Sequence, residues 1–176
     1  GDSYYNSVSM KKLLILLALT VSCCMAEAQM SKFQALYVYN FAKNIGWPPE
    51  DANRDLNICV IGDNDLVAEL TTLAKTKKVG ARSVVINSAA SVNGIPKSDI
   101  IIVGESKTSQ ISQLITNQTG NKTLIVSGKK GMCSMGAGIS FVSDNGKLNF
   151  EISNKNIKNF GLSVSQKLLS LGTELD

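Results

Sequence analysis

"DLNICVIGDNDLVAELTTLAKTKK", residues 55–78, carries the pattern that decides the fold. Its first part is a short apolar run, Leu56 to Ile61, stopped by Gly62. It lacks the polar alternation of a strand with one wet face, so it reads as a strand buried on both sides. Its second part sets Leu66, Leu70 and Leu73 along one side of a helix, with Asp63 or Asn64 placed to cap the first turn. A buried strand feeding directly into an amphipathic helix is the repeating unit of a parallel sheet.

Outward from that unit, "RSVVINS" (82–88), "SDIIIVG" (98–104) and "KTLIVSG" (122–128) are three more strands of the same kind. "SKTSQISQLITNQ" (106–118) reads as a short helix with Ile111, Leu114 and Ile115 inward, whereas the turn-rich "AASVNGIPK" (89–97) offers no helix between the second and third strands. "GISFVSDNGKLNFEIS" (138–153) is a hairpin: an Asn145-Gly146 turn sets Asp144 opposite Lys147, Phe141 opposite Phe150 and Ile139 opposite Ile152. "NKNIKNFGLSVSQKLLSLG" (154–172) places Ile157, Phe160, Val164, Leu168 and Leu171 at helical spacing and predicts one closing helix that ends at Gly172. The expected fold is α/β: a mostly parallel sheet with helices on both faces, plus a C-terminal antiparallel hairpin and that closing helix.

Upstream, "MKKLLILLALTVSCCMAEA" (10–28) has two lysines, an apolar run from Leu13 to Val21 and an Ala26-Glu27-Ala28 end, the three parts of a secretory signal in order. The run is shorter than the ~20 residues that span a bilayer. A lipoprotein reading through Cys23 is disfavoured by the absence of leucine three positions before it. The expected organisation is an upstream remnant at 1–9, a cleaved signal at 10–28 and a single domain at 29–176. The mature chain would then sit in the periplasm, with no membrane span of its own.

Composition closes off several function classes. The net charge of +4 is mild and its lysines are scattered, with no clustered basic face for nucleic acid. No histidine is present, which removes Ser-His and Cys-His nucleophile pairs and His-containing zinc sites. "GKKGMCSMGAG" (128–138) is glycine-rich but fits neither phosphate-loop pattern. Ser127 with Lys130 spells S-x-x-K, and Ser143-Asp144-Asn145 spells S-D-N, yet the third motif of that active-site set is missing and Ser127 ends a strand. No catalytic residue, cofactor or metal site is expected.

After removal of the signal, Cys59 and Cys133 remain. In an oxidising compartment they allow one bridge, closing a loop of ~75 residues worth roughly 4.5 kcal/mol in the chain-entropy model. Equally, Cys59 can pack as a small buried hydrophobe while Cys133 stays free.

"FQALYVYNFAKNIGWP" (33–48) holds five of the ten aromatic residues: Phe33, Tyr37, Tyr39, Phe41 and Trp47. On a helical wheel its apolar side chains sweep roughly 200°, against the stripe of about 100° that one core contact needs. The C-terminal helix, a second copy of the chain or a different partner could cover the excess. Leu36, Tyr39 and Trp47 are the candidate contact residues on the exposed side.

Taken together, "ALYVYNFAKNIGWP", "LNICVIGDN", "GAGISFVSDNGKLNFEI" and "LSVSQKLLSL", in that order, resemble the YfiR-like family of exported bacterial proteins. The resemblance implies a periplasmic α/β domain, often dimeric and without catalytic machinery, that acts on a membrane-bound diguanylate cyclase and so on cyclic-di-GMP output. It implies disulfides too: Cys59 falls at a usual position and Cys133 in a usual region, but Ser98 stands where many members have a cysteine. The expected function is a non-catalytic regulator that binds the extracytoplasmic part of a membrane signalling protein, a diguanylate cyclase or a sensor kinase. The alternative is a periplasmic binding module for a small apolar or nucleotide-like ligand, with its pocket near Gly62, Gly104 and Gly128 at the carboxyl ends of the strands.

Overall fold

The computed structural model describes residues 2–175, with side chains for 8–22 and 25–175. The side chains of Cys23 and Cys24, on which the lipoprotein question turns, lie outside the described residues, as do Gly1 and the side chains of 2–7 in the upstream segment.

In chain order the elements are α1 (Asp2–Asn44), β1 (Ile45–Gly46), β2 (Leu56–Ile61), α2 (Asn64–Ala74), β3 (Val84–Ala89) and β4 (Ile100–Val103). There follow α3 (Ile111–Asn117), β5 (Leu124–Ser127), β6 (Ile139–Asp144), β7 (Lys147–Ile152), α4 (Asn154–Asn159), β8 (Ser163–Val164), α5 (Gln166–Leu171) and β9 (Thr173–Glu174). The main sheet runs β3-β2-β4-β5-β6-β7-β9, parallel from β3 to β6, with β7 antiparallel to β6. β4 and β5 are buried at every position, as their continuous apolar sequences require.

The chain steps one way from β2 through α2 to β3 and the other way from β4 through α3 to β5. Right-handed crossovers therefore put α2 and α3 on opposite faces. α1 packs beside α2 and reaches across to β7 and α5. Its crowded aromatics answer to the hairpin: Tyr37 and Phe41 meet Phe141 and Phe150, with the Phe41 and Phe150 rings edge-to-face at 5.0 Å. The hairpin has the expected register, Asp144 opposite Lys147 and Phe141 opposite Phe150. Its turn residues Asn145 and Gly146 sit at φ 50° and 75°, as a type I′ turn demands.

Two local expectations are corrected. Residues 105–110 form a 3-10 turn before α3 begins at Ile111, so only the second half of the stretch at 106–118 is α-helix. The single closing helix does not form. Gly161 turns at φ 78°, Ser163 and Val164 pair with Gly46 and Ile45, and Ser165 starts a new helix by accepting from Leu168 N at 3.2 Å. The apolar spacing survives the break because α4, β8 and α5 all face the same core. Ile157 and Leu168 are fully buried, and Leu171 is left outside.

The leading helix has two unlike parts. From Ala35 to Ala42 it supplies core residues, whereas Leu13 to Val21 stand exposed. That apolar part is long enough, with its flanks, to pass a membrane-span test by length and composition, a test that a signal sequence passes too. An apolar helix that adds nothing to the core fits an export signal.

At the amino ends of the strands lies a buried charge cluster. Asp99, 2% exposed, accepts from Arg54 Nη1 at 2.9 Å and Nη2 at 2.5 Å, from Arg82 Nη2 at 3.2 Å and from Asn57 N at 2.8 Å. Arg82 also donates from Nε to Arg54 O at 2.8 Å. One carboxylate thus ties together the segments that enter β2, β3 and β4.

Candidate functional site

Of the three contact residues expected on α1, the structure keeps one fully at the surface. Leu36 is 40% exposed. Tyr39 is a correction: it lies in the core, 3% exposed, its hydroxyl reaching Lys77 O at 3.5 Å, and burial raises its pKa. Leu36 and Tyr39 lie only about 60° apart round α1, so the edge of the buried sector falls between them, with Tyr39 inside it. Trp47 is half-buried against the core, and its indole N–H donates to Ala42 O at 2.8 Å, closing the C-terminal end of the helix.

The surface gains residues that the helical spacing had assigned elsewhere. Leu36, Tyr37, Asn40 and Leu171 line an open groove of about 330 Å³ between α1 and α5. Leu171 is 57% exposed, and Phe33, one turn before Leu36, is 43% exposed. Helical spacing alone puts Leu171 inward on one long helix; the break at Gly161 and the restart at Ser165 turn it outward. The link is firm, since Ser165 Oγ donates to Asn44 Oδ1 at 2.8 Å and Ser165 N donates to Asn44 O at 2.9 Å.

The carboxyl ends of the strands are less open than their glycines suggest. At Gly104 an added Cβ would stand 2.8 Å from Ile61 O and 2.9 Å from Gly62 O, so that position is a close crossing of backbones. The Lys107 side chain lies over Gly62. Gly128 does border a cavity, about 370 Å³, between the strand ends and α1. Its walls are Asp63, Asp65 and Glu105 on the strand side and Glu27, Met30, Ser31 and Gln34 on α1. Anionic walls repel phosphate, so this is the wrong lining for a nucleotide-like ligand and too polar for an apolar one.

Cys59 and Cys133 are both buried and are not joined to each other. Cys59 lies in β2, and burial pushes its pKa up. Cys133 Sγ sits 3.5 Å from Ser140 Oγ on β6. Three strand spacings separate β2 from β6, about 14 Å, far beyond the Cα separation a disulfide spans. The fold does not bring this pair together. Ser127 is fully buried, its hydroxyl donating to Lys129 O and accepting from Lys129 N, so it closes a turn. Ser143, Asp144 and Asn145 lie at the hairpin tip, in β6 and its turn. Among the described residues, no three of His, Cys, Asp and Glu gather as metal ligands.

Comparison with curated proteins gives no match. The sequence profile of the YfiR/HmsC-like family matches residues 31–173, a span that includes the main sheet as far as the first residue of β9, the α1–α5 groove and the cavity at the strand ends apart from Glu27 and Met30. With most of its length matched in this way, the chain belongs to the YfiR/HmsC-like family.

Proposed function

We infer that this protein regulates a membrane signalling protein by docking its extracytoplasmic region on the α1–α5 groove. Membership of the family gives the general part: a periplasmic regulator in cyclic-di-GMP signalling. The particular surface is supported by one observation. Leu36 and Leu171, 40% and 57% exposed, meet at one groove, with Phe33, 43% exposed, one turn before Leu36. Exposed leucines converging from two elements are a feature that interfaces use.

The partner is the extracytoplasmic region of a membrane diguanylate cyclase or a sensor kinase. Regulation then requires only that the domain prefer one state of the partner, since binding shifts the equilibrium by that preference. No turnover is involved, and the half-buried Tyr37 and Asn40 form the floor on which the leucines stand.

The test is capture of the purified extracytoplasmic region of a membrane diguanylate cyclase from the same organism. Leu36→Glu and Leu171→Glu should each weaken capture at least tenfold and leave the melting temperature within a few degrees of wild type. Tyr39→Ala, by contrast, should destabilise the domain. Undiminished capture by the Leu36→Glu, Leu171→Glu double variant would remove the groove from the interface.

A further inference from the structure

The groove between α1 and α5 has a charge as well as a shape. The two segments that pack together to form it, 28–49 and 152–173, contain Lys32, Lys43, Lys155, Lys158 and Lys167 and no aspartate or glutamate. That bareness is not general, since 50–69 alone carries Glu50, Asp51, Asp55, Asp63, Asp65 and Glu69. Lys32 precedes Leu36 by one turn and Lys43 follows it by two, so the three share one exposed stripe of α1. Lys167 stands one turn before Leu171 on the exposed side of α5. Lysines thus accompany the leucines on both walls. Among the described residues, none of Lys32, Lys43 and Lys167 forms a salt bridge. The carboxylate nearest to Leu171 along the chain is Glu174, in the edge strand β9.

This charge discriminates among occupants. A second copy laid groove to groove would set lysines against lysines, which is unfavourable. A bilayer takes up protruding apolar side chains, whereas Leu36, Tyr37, Asn40 and Leu171 line a concave groove with a polar amide among them. A segment of another protein meets neither objection. Both walls are helices, whose backbone groups are engaged in their own hydrogen bonds, so they offer an occupant no strand edge to pair with. The occupant must satisfy its own backbone, as a helix does, and meet the walls through side chains. Leucines in the groove match an apolar stripe on that helix, and lysines on both walls match carboxylates on its flanks.

We propose that the groove takes an acidic amphipathic helix of the partner, with its apolar stripe against Leu36 and Leu171 and its carboxylates against Lys32, Lys43 and Lys167. The proposal rests on docking at the α1–α5 groove and adds the chemistry of what docks. Exposed charges at the rim of an interface act chiefly on the rate of encounter. The lysines therefore steer the helix, and the leucines hold it.

Association and dissociation rates for the purified cyclase region, at low and at physiological ionic strength, test this. The triple variant Lys32→Gln, Lys43→Gln, Lys167→Gln should associate at least about fivefold more slowly at low ionic strength and lose most of the salt dependence. Its dissociation rate should stay within about twofold of wild type. Arginine at the same three positions should keep the wild-type association rate. Carbodiimide, which joins an ammonium directly to a touching carboxylate, should link these lysines to one segment of the partner, as read by mass spectrometry. Circular dichroism verifies that each variant is folded.

Wild-type rates in the glutamine variant, with capture still lost in the Leu36→Glu, Leu171→Glu double variant, would overturn the acidic helix and leave the groove standing. Capture indifferent to both sets of substitutions would remove the groove itself. Failure of the wild-type chain to capture the cyclase region would overturn both readings. Lysine-dependent sedimentation with phosphatidylglycerol vesicles would then name a lipid surface as the occupant, and self-association abolished by the double leucine variant would name a second copy.

Discussion

The two ends of the parallel sheet handle charge in opposite ways. At the amino ends, Asp99 is enclosed by Arg54 and Arg82 and accepts from both, so its charge is matched and sealed. At the carboxyl ends, Asp65 and Glu105 face a cavity with no cation bonded to them among the described residues. A buried charge must be paired to be tolerated, whereas carboxylates beside water can remain unpaired at little cost to the fold. The first arrangement holds three chain segments together, whereas the second leaves its carboxylates to solvent.

That comparison can be broken most decisively at Asp99. Replacing it with Ala strands Arg82, whose Nη1 is already buried without a partner among the described residues, and should cost about 3–5 kcal/mol in urea unfolding. A loss below 1 kcal/mol would mean that the cluster is incidental. At the opposite end the sensitive position is backbone. Gly104→Ala forces a methyl against Ile61 O and Gly62 O and should cost about 1–3 kcal/mol by the same measurement.

A smaller effect separates the rim of the charged cluster from its centre. The hydrogen bond from Arg54 Nε at 2.7 Å, with the pull of the Arg54 charge, holds the Asp51 carboxyl below its usual range. The unfolded chain titrates this group near about 3.9, so the folded state binds fewer protons there. The stabilisation is complete above that value and is lost as pH falls through the lower folded value. Unfolding midpoints measured from pH 6 to pH 2 should fall more steeply for wild type than for Asp51→Asn, with a difference under about 1 kcal/mol for this half-exposed pair. The smallest effect is expected in the cavity at the strand ends. Asp65→Asn with Glu105→Gln should change stability by no more than about 1 kcal/mol, because relief of like charges opposes the loss of carboxylates at two helix starts. A large loss there would make the two ends equivalent and the cavity structural.

Much of this was legible in the residues. Apolar runs at 56–61, 100–103 and 124–127 have no other comfortable place than a doubly covered sheet, and Asn145-Gly146 admits essentially one hairpin register. The cap at Asp63 was equally plain. The site was less so. A wheel drawn around α1 shows how much of it is apolar but not which sector the sheet will take, and so Tyr39 was placed outside and Leu171 inside. The Asp99 cluster and the strand-end cavity gave no linear signal, since Asp99 lies 17 positions from Arg82 and 45 from Arg54, and the cavity draws on α1 and the ends of three strands.

Local chemistry by itself determined the strands, the turn and the caps, because each depends on neighbours within a few positions, and composition alone removed a histidine-based active site. Tertiary structure alone decided which side of the first helix meets solvent, that the last helix breaks in two, and that two thiols stay apart. Those outcomes depend on which surfaces compete for the same buried area. That competition is resolved only when the whole chain packs.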